Sequence, residues 1–245
     1  MQQSYVAQLV GEGVIVMPVD RVEDLAARVA ERIDGIASSL SSLAQAISAS
    51  SEIDLERIRS MTRNLLDLPN MELAIGVGFA VDYTIDGRSP AMVWWRRKDG
   101  SVIARTHGSD PDTDSFYDYA SLRWFAAAKQ SKQTTVSGPF IDSWGTDDYT
   151  VTVSYPVLTD DDCAGVLAAD VDLPQIVEAW TEAVGESERE MALVNENDRV
   201  VASTVPTLST GLLIRPRNVS DSIFEVEQRC AVSKFGWSIV VLQRR

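Results

Sequence analysis

The chain has 245 residues, of which 45% are hydrophobic, and it carries a formal net charge of −14 at pH 7. This length suits one large domain or two small ones, and the hydrophobic fraction is that of a globular protein. The excess of acidic residues argues against a protein that binds nucleic acid, because such binding needs a basic surface. It favours the attraction of cations.

The first part of the chain predicts two helices. Apolar residues recur at steps of three and four from Asp20 to Ala49, which predicts a long amphipathic helix with Asp20 as its N-cap. Asp54 to Leu68 predicts a second helix, which Pro69 ends. The apolar stripe of the long helix can cover a sheet or pair with a second copy, so we expect one of these two and consider a parallel homodimer.

The period then changes to that of strands. Met71 to Tyr83 predicts a strand, and Ala91–Arg97 and Ser101–His107 predict a hairpin with its turn at Asp99 and Gly100. Farther along, the pattern predicts two short helices and two strands. The helices cover Tyr119–Gln130 and Leu173–Val184, and the strands cover Tyr149–Val157 and Ala164–Leu173.

The last sixty residues predict a second, smaller β set. A hairpin turns around Asn195 to Asp198, and two more strands flank the turn at Lys234 to Gly236. The predicted fold class is α+β: a long N-terminal helix, an antiparallel sheet module with a ligand pocket, and a smaller second sheet module. We expect an N-terminal helical region over residues 1–69, a pocket module over 70–172, and a linking helix with the second module over 173–245.

The longest early apolar run, Gly13 to Val19, is too short to span a membrane, and no signal-peptide pattern accompanies it. We therefore expect a soluble protein. It would be cytoplasmic if the sequence is full length and extracytoplasmic if it is a fragment of a membrane receptor.

Residues suited to metal binding or nucleophilic catalysis are few. Cys163 and Cys230 show no metal-ligand spacing and lie in apolar runs, so we expect buried free thiols, with a disulfide as the alternative. His107 is the single histidine, and no G-x-S-x-G elbow accompanies it. We expect a loop-edge role for His107, no catalytic residue and no cofactor, with an enzyme on this scaffold as the remaining alternative.

One acidic stretch has the opening rhythm of a calcium loop, with carboxylates at Asp110, Asp112 and Asp114. Ser115 stands where the sharp turn needs glycine, and Ser121 stands where a bidentate glutamate should close the shell. We therefore expect a solvated acidic loop without metal.

Aromatic and acidic residues recur together across the middle of the chain. The stretch from Thr135 to Val157 joins a Gly-Pro turn, several aromatic residues and acids to an alternating strand. Aromatic faces attract ammonium groups, and a desolvated carboxylate strengthens that attraction. We expect this stretch to form a pocket wall in which Phe140 and Asp142 face a ligand and Trp144 and Tyr149 lie nearby.

At these residues the sequence resembles the Cache sensor domains, the PAS-like ligand-binding modules of bacterial receptors, in their double-Cache arrangement. The resemblance covers roughly Asp20 to Leu242 and is best between Tyr117 and Leu173. Its motifs are Tyr117-Asp118, Trp124-Phe125, Pro139-Phe140-Ile141-Asp142, Ser154-Tyr155-Pro156-Val157, and Gly165-Val166 through Asp170.

The resemblance implies which residues bind the ligand. In amino-acid-binding members of the family, two acids hold the ligand ammonium, and their positions here are Asp142 and Asp170. The tryptophan that helps to hold the ligand carboxylate is Trp124. The arginine of that clamp is replaced by Leu122, and a tyrosine of the turn is replaced by Phe140.

These substitutions change the expected ligand. With the acids present and the clamp arginine replaced, the resemblance implies an amine, a polyamine or a quaternary ammonium compound, although an amino acid stays open if Arg123, Arg96 or Arg97 replaces the clamp. Arg123 follows the clamp position, but one residue on a helix rotates a side chain by roughly 100°. The expected ligand-binding residues are Tyr117, Tyr119, Trp124, Phe125, Phe140, Asp142 and Asp170.

The leading hypothesis is therefore a non-catalytic sensor of a small cationic ligand, which passes its signal to a downstream protein by conformational change or dimer rearrangement. Two alternatives stay open. One is an interaction module with a vestigial pocket, and the other is an amino-acid or carboxylate sensor that uses Arg123.

Overall fold

The computed structural model of the protein describes residues 19–50, 52–82, 91–105, 112–113, 116–142, 149–159, 162–185, 189–214, 223–232 and 234–245. Helix α1 (Val19–Ser48) confirms the predicted long helix, but it begins one residue early, so Asp20 lies in its first turn instead of capping it. Helix α2 (Leu55–Leu65) is shorter than predicted and is capped by Asp54.

Six strands of the described residues form one antiparallel sheet. They are β1 (Ala74–Val81), β2 (Ala91–Lys98), β3 (Ser101–Arg105), β4 (Thr135–Ile141), β5 (Tyr149–Leu158) and β6 (Cys163–Asp172). Their order across the sheet is β3-β2-β1-β6-β5-β4, so β3 and β4 are the edges. This sheet carries the candidate functional site.

The turn between β2 and β3 has the geometry that its sequence predicts. Asp99 and Gly100 have φ angles of 50° and 74°, and both central residues of a type I′ hairpin turn need positive φ. The register places Lys98 opposite Ser101 and Trp94 opposite Arg105. The predicted hairpin is confirmed.

The stretch around Gly138 and Pro139 was expected to be a turn, and this expectation is wrong, because both residues lie within edge strand β4. The register with β5 shifts between Ser137 and Phe140, and the Gly138–Pro139 peptide bond is cis. Proline lacks the N–H group that a central strand needs, so an edge strand with an irregular register is where a sheet tolerates it.

Two further helices belong to this part of the chain. A 3₁₀ turn at Tyr119–Ser121 precedes α3 (Arg123–Ser131), where one continuous helix was predicted. Helix α4 (Leu173–Val184) has the predicted bounds and follows β6 directly.

A second antiparallel sheet, in the order β8-β7-β10-β9, contains four strands of the described residues. They are β7 (Met191–Val194), β8 (Val200–Ser203), β9 (Phe224–Ala231) and β10 (Ser238–Arg244). The predicted α+β class with a larger and a smaller antiparallel sheet is confirmed.

The two faces of the six-stranded sheet are covered by different helices. Val77, Leu167 and Ala169 face α1 and α2 within the main core. Residues one position away on the same strands, including Val166 and Ala168, pack on the side of α3. Successive side chains of a strand point to opposite faces, so Asp170 shares the α3 side with Ala168.

The apolar stripe of α1 is covered within the chain. Its residues contact β5 and β6 of the larger sheet and β9 and β10 of the smaller one. Val22, Ile36 and Leu40 are completely buried. The stripe was predicted to cover a sheet or to pair with a second copy of the chain. Among the described residues, it packs on the two sheets.

Both cysteines are free thiols, as expected, and they lie in different sheets. Cys163 is buried, but Cys230 is only partly buried, which corrects the prediction for that residue. Among the described helices, none is both long enough and apolar enough to cross a bilayer.

Candidate functional site

The site begins with a row of residues that crosses four neighbouring strands. Arg96 of β2 pairs with Gly76 of β1, Gly76 pairs with Asp170 of β6, and Asp170 pairs with Thr152 of β5. Residues paired across antiparallel strands point to the same face. Because Gly76 has no side chain, the space between Arg96 and Asp170 above β1 is left for other groups.

Trp94 of β2 fills part of that space. A Cβ atom at Gly78 would lie 2.3 Å from Cε3 of Trp94, and one at Gly76 would lie 2.9 Å from its Nε1. The indole therefore lies against the bare backbone of β1 and forms the floor of the site. The spacing Gly-Val-Gly places both glycines on this face.

The roof of the site is an aromatic cluster on α3 and the segment before it. The ring centroids of Trp94 and Trp124 are 5.9 Å apart, and Tyr119 lies 6.3 Å from Trp124 and 5.6 Å from Phe125. The hydroxyl of Tyr119 donates to the backbone carbonyl of Val81, which ties the roof to β1. Offset and edge-to-face contacts of this kind stabilise aromatic pairs by about 0.5–1.5 kcal/mol each.

Floor and roof enclose a small inner cavity. Its lining residues are Met92, Trp94, Tyr117, Trp124, Phe140, Asp142, Thr152 and Asp170. The space open to the centre of a water molecule is about 10 Å³, enough for roughly one water.

The structure brings together five of the seven residues predicted to bind a ligand. Tyr117, Trp124, Phe140, Asp142 and Asp170 line this cavity. Tyr119 and Phe125 pack behind Trp124, with 3% and 1% of their surfaces exposed.

Asp170 is the partly buried carboxylate at the bottom of the cavity. Burial is the largest cause of a raised pKa at Asp170; the hydrogen bond from Thr152 lowers the pKa, the nearby charge of Asp142 raises it, and the positive charge of Arg96 lowers it, with a net pKa of about 7. Thr152 Oγ1 donates to Asp170 Oδ1 at 2.7 Å. Near neutral pH the cavity thus contains an acid that a ligand cation would shift to its charged form.

Tyr117 is the neutral hydrogen-bonding group of the cavity. Burial raises the pKa of Tyr117 well above that of a free tyrosine, and the charges of Asp142 and Asp170 raise it further, against the lowering effect of a hydrogen bond with the Trp124 side chain. The phenol therefore stays protonated at neutral pH, and Asp170 and Asp142 are the acids of the cavity.

An outer groove adjoins the inner cavity and has a volume of about 390 Å³. Tyr117, Trp124, Phe140 and Asp142 line both spaces. The groove is also lined by Leu122, Arg123, residues of β4 from Ser137 to Ile141, Asn195, Asn197 and Arg199. Its volume lies in the range of small-molecule pockets, about 300–1,000 Å³.

Two polar contacts hold the sheets together beside this groove. Asn195 Nδ2, in the turn between β7 and β8, donates to the Gly138 carbonyl of β4 at 2.7 Å. Arg123 Nη2, at the start of α3, lies 2.5 Å from Glu196 Oε1. The groove is therefore a junction between the two sheets.

The three arginines considered as substitutes for the clamp lie in different places. Arg96 is on the cavity face of β2, near enough to lower the pKa of Asp170. Arg97 points to the opposite face, where it donates to the carbonyls of Ala74 and Leu66. Arg123 lines the outer groove and pairs with Glu196.

Sequence reasoning missed several lining residues. Alternation in β2 could have placed Met92 and Trp94 on the same face as Arg96, because successive members of this series are two residues apart. Thr152 could have been found only from the β5–β6 register. For the groove residues of the β7–β8 turn, no local signal in the sequence indicates contact with β4.

Other candidate sites receive no support from the described residues. No group of three or more His, Cys, Asp or Glu in the described ranges could hold a metal ion. His107, Asp110, Asp114, Ser115 and Trp144, on which other interpretations depended, lie outside the described residues.

Comparison with known proteins links this architecture to one family. Residues 4–245 match the sequence model of the Cache domain. No curated protein matches the chain.

Several solved structures share the fold. The periplasmic sensory domain of the Campylobacter jejuni chemoreceptor Tlp1 has a TM-score of 0.67 and 12% identity, over 92% of this chain and 93% of that one. The ligand-binding domain of the Pseudomonas aeruginosa amino acid chemoreceptor PctB, in complex with L-Arg, has a TM-score of 0.59 and 18% identity, over 92% and 93%. The ligand-binding domain of the Pseudomonas aeruginosa chemoreceptor PctC, in complex with GABA, has a TM-score of 0.59 and 15% identity, over 92% and 96%.

Proposed function

The chain belongs to the Cache domain family of sensor modules, and from this premise we propose that it senses a small organic cation. The ligand class is an amine, a polyamine or a quaternary ammonium compound. Its ammonium group would lie between Asp142 and Asp170, under the aromatic rings of Tyr117, Trp124 and Phe140.

The single observation that carries this proposal is that two acids, Asp142 and Asp170, line the same aromatic cavity. Asp142 raises the pKa of Asp170, which means that their negative charges repel each other. A ligand ammonium would remove this repulsion and replace the water that burial has taken from Asp170. Each aromatic face in contact with it would add about 0.5–2 kcal/mol.

The inner cavity would have to widen for this ligand. It holds about 10 Å³ of free space, whereas the outer groove holds about 390 Å³. Phe140 and Asp142 lie between the two spaces, and Phe140 belongs to an edge strand with an irregular register. We propose that these side chains move apart when the ammonium enters from the groove.

An amino acid is the second candidate ligand, and the position of Arg96 favours it. Arg96 lies two strands from Asp170, with Gly76 and part of the Trp94 indole between them, and its charge lowers the pKa of Asp170, so an α-carboxylate beside a bound ammonium would have a cation nearby. The relatives in complex with L-Arg and GABA fit this candidate as well.

The wider proposal is a non-catalytic sensor that acts through a partner. We propose that a ligand-bearing module spans residues 70–172, between a helical region at 1–69 and a second module at 173–245. The similar domain of the chemoreceptor Tlp1 is a periplasmic sensory domain. We therefore also propose that this chain acts outside the cytoplasm and passes its signal to a downstream signalling protein.

We also propose a homodimer through α1, although the apolar stripe of this helix is not the surface that would form it. The stripe that suggested it is covered by the sheets, so a second copy would meet the outer face of α1. That face carries exposed Arg28, Glu31 and Arg32. Light scattering with and without ligand tests the dimer, and a monomer at every concentration would contradict it.

A thermal-shift screen tests the ligand class. We expect primary amines, diamines and quaternary ammonium compounds to raise the melting temperature, and simple carboxylates to have no effect. A response to α-amino acids with none to amines would favour the second candidate. No response to any of these compounds would favour an interaction module with a vestigial pocket.

A further inference from the structure

The polar lining changes in character from the inner cavity to the far end of the outer groove. At the inner end the charged groups are the acids Asp142 and Asp170. The residues that line the groove but not the cavity form its outer end, where the charged groups are Arg123 and Arg199 and the amide side chains of Asn195 and Asn197 also line the space. A ligand that lay along both spaces would thus meet acids first and hydrogen-bond donors last.

Arg199 is the cation of this outer end that keeps its charge available. Its Nη1 donates to the carbonyl of Gly211 at 2.8 Å, which uses one donor of the five in a guanidinium group and none of its charge. Arg199 takes part in no ion pair between described residues. The neighbouring arginines differ, because Arg123 pairs with Glu196 and Arg229 pairs with Asp198.

We infer that the outer groove is the second half of the ligand site, and that it binds a carboxylate at the far end of an elongated ligand. The ligand class is an ω-amino acid, in which a chain of methylene groups separates the ammonium from the carboxylate. This inference rests on the proposed function, because the ammonium end still binds between Asp142 and Asp170.

Geometry separates this ligand from an α-amino acid. In an α-amino acid one carbon joins the two charged groups, so a carboxylate next to the acids would stay within the inner cavity. In an ω-amino acid the methylene chain can follow Pro139 and Phe140, two apolar residues that line the groove. The carboxylate then reaches Arg199, where bidentate hydrogen bonds to a guanidinium are favourable.

Such a ligand would touch both sheets at once. Its ammonium would contact β6, and its carboxylate would contact Arg199, beside the turn that holds β4 through Asn195 and Gly138. Binding of an ω-amino acid would therefore stabilise the contact between the two sheets more than binding of an alkylamine would. If the signal leaves through the smaller sheet, the contact between the ligand carboxylate and Arg199 would connect the ligand to that sheet directly.

Isothermal titration calorimetry with two matched ligand series tests the inference at pH 8. One series is the ω-amino acids with three to six carbons, and the other is the n-alkylamines with the same number of methylene groups. We expect one ω-amino acid to bind at least tenfold more tightly than its alkylamine. The variant Arg199→Gln should remove this preference and leave the affinity for the alkylamine within twofold of that of the unmodified protein.

Arg244→Gln is the matched control, because Arg244 is an exposed arginine of the smaller sheet that pairs with Glu190 and does not line the groove. It should keep the preference, and Arg199→Lys should restore part of it. Circular dichroism melting curves check that each variant folds.

The outcomes separate the two proposals. If alkylamines bind but no ω-amino acid is preferred, or if Arg199→Gln keeps the preference, the inference about the groove is wrong and the amine site stands. If neither series binds, the proposed function fails, and the inference fails with it.

Discussion

Asn195 and Gly138 join the two sheets through one hydrogen bond, in which the side-chain amide of a turn in the smaller sheet donates to an edge-strand carbonyl of the larger one at 2.7 Å. Asn195 is 97% buried, and its Oδ1 accepts from the backbone N–H groups of Asn197 and Arg199. The same side chain therefore shapes the turn and holds β4 beside the cavity.

The variant Asn195→Asp tests this contact. Aspartate keeps both acceptor bonds of the turn but places an oxygen against the Gly138 carbonyl, so the inter-sheet bond is lost and two acceptors face each other. We expect the free energy of unfolding to fall by about 1–3 kcal/mol, measured by urea denaturation. Asn197→Asp is the control, because Asn197 is exposed, and equal losses in both variants would contradict the role of Asn195.

A second prediction concerns the stability of the unliganded protein. The pKa of Asp170 is about 7 in the folded state, against about 4 for an unfolded aspartate. The folded state therefore holds an extra proton between pH 4 and 7, and stability falls as the pH rises through this window and stays low above it. Asp170→Asn keeps an acceptor for Thr152 and removes the buried charge.

We expect Asp170→Asn to melt at a higher temperature than the unmodified protein at pH 8 and at nearly the same temperature at pH 4. Differential scanning calorimetry at both pH values measures this. The difference at pH 8 should correspond to roughly 1–4 kcal/mol. A variant that melts lower at pH 8 would show that the Asp170 charge stabilises the fold.

The third prediction is the pH dependence of amine binding. In the proposed site an ammonium ligand would bind ionised Asp170, so below pH 7 binding would first have to release the proton from this carboxylate. We expect the dissociation constant for n-butylamine to rise about tenfold between pH 7.5 and 6 and to be constant from pH 7.5 to 8.5. Calorimetry in buffers of different ionisation enthalpy measures the released proton directly, and binding with no proton release at pH 6 would contradict the assignment.

The fourth prediction tests the floor of the cavity. A Cβ atom at Gly78 would lie 2.3 Å from both the Trp94 ring and the Val93 carbonyl. Gly78→Ala should therefore displace the indole and lower the free energy of unfolding by about 1–3 kcal/mol, as measured by urea denaturation. Gly35→Ala is the control, because a Cβ atom there would approach only the Asn70 side chain, at 3.4 Å, and alanine favours a helix.

The outcome at Gly35 should be neutral or stabilising. If both glycine variants lose the same stability, close packing between Gly78 and Trp94 is not the cause. If Gly78→Ala is as stable as the unmodified protein, the indole does not depend on the bare backbone of β1.

Local patterns were sufficient to predict most elements of the fold. The Asp99–Gly100 turn follows from two residues that readily adopt positive φ. Helix α4 follows from a 3.6-residue apolar period, and both signals lie in neighbouring residues. Strand β4 was missed because Gly138 and Pro139 are typical turn residues. Only their place at the edge of a sheet makes a strand possible there.

The candidate site was less predictable, because its residues meet through the register of distant strands. Asp170 lies beside Thr152, and on the other side of Gly76 from Arg96, only because β6 pairs with β5 and β1, and β1 pairs with β2, in one particular register. Residue type also does not separate a lining aromatic from a core aromatic. Tyr117 and Tyr119 are two residues apart, yet Tyr117 faces the cavity and Tyr119 packs behind it.

The most direct test of the central claim is calorimetry of n-butylamine with the unmodified protein, Asp170→Asn and Asp172→Asn at pH 8. Asp172 is the matched control, because it lies on the same strand but lines neither the cavity nor the groove. We predict that Asp170→Asn weakens binding at least thirtyfold, as expected when a partner of a desolvated charge is removed, and that Asp172→Asn stays within threefold of the unmodified protein. Equal affinity in all three proteins would contradict the assignment of Asp170 as the residue that holds the ligand cation.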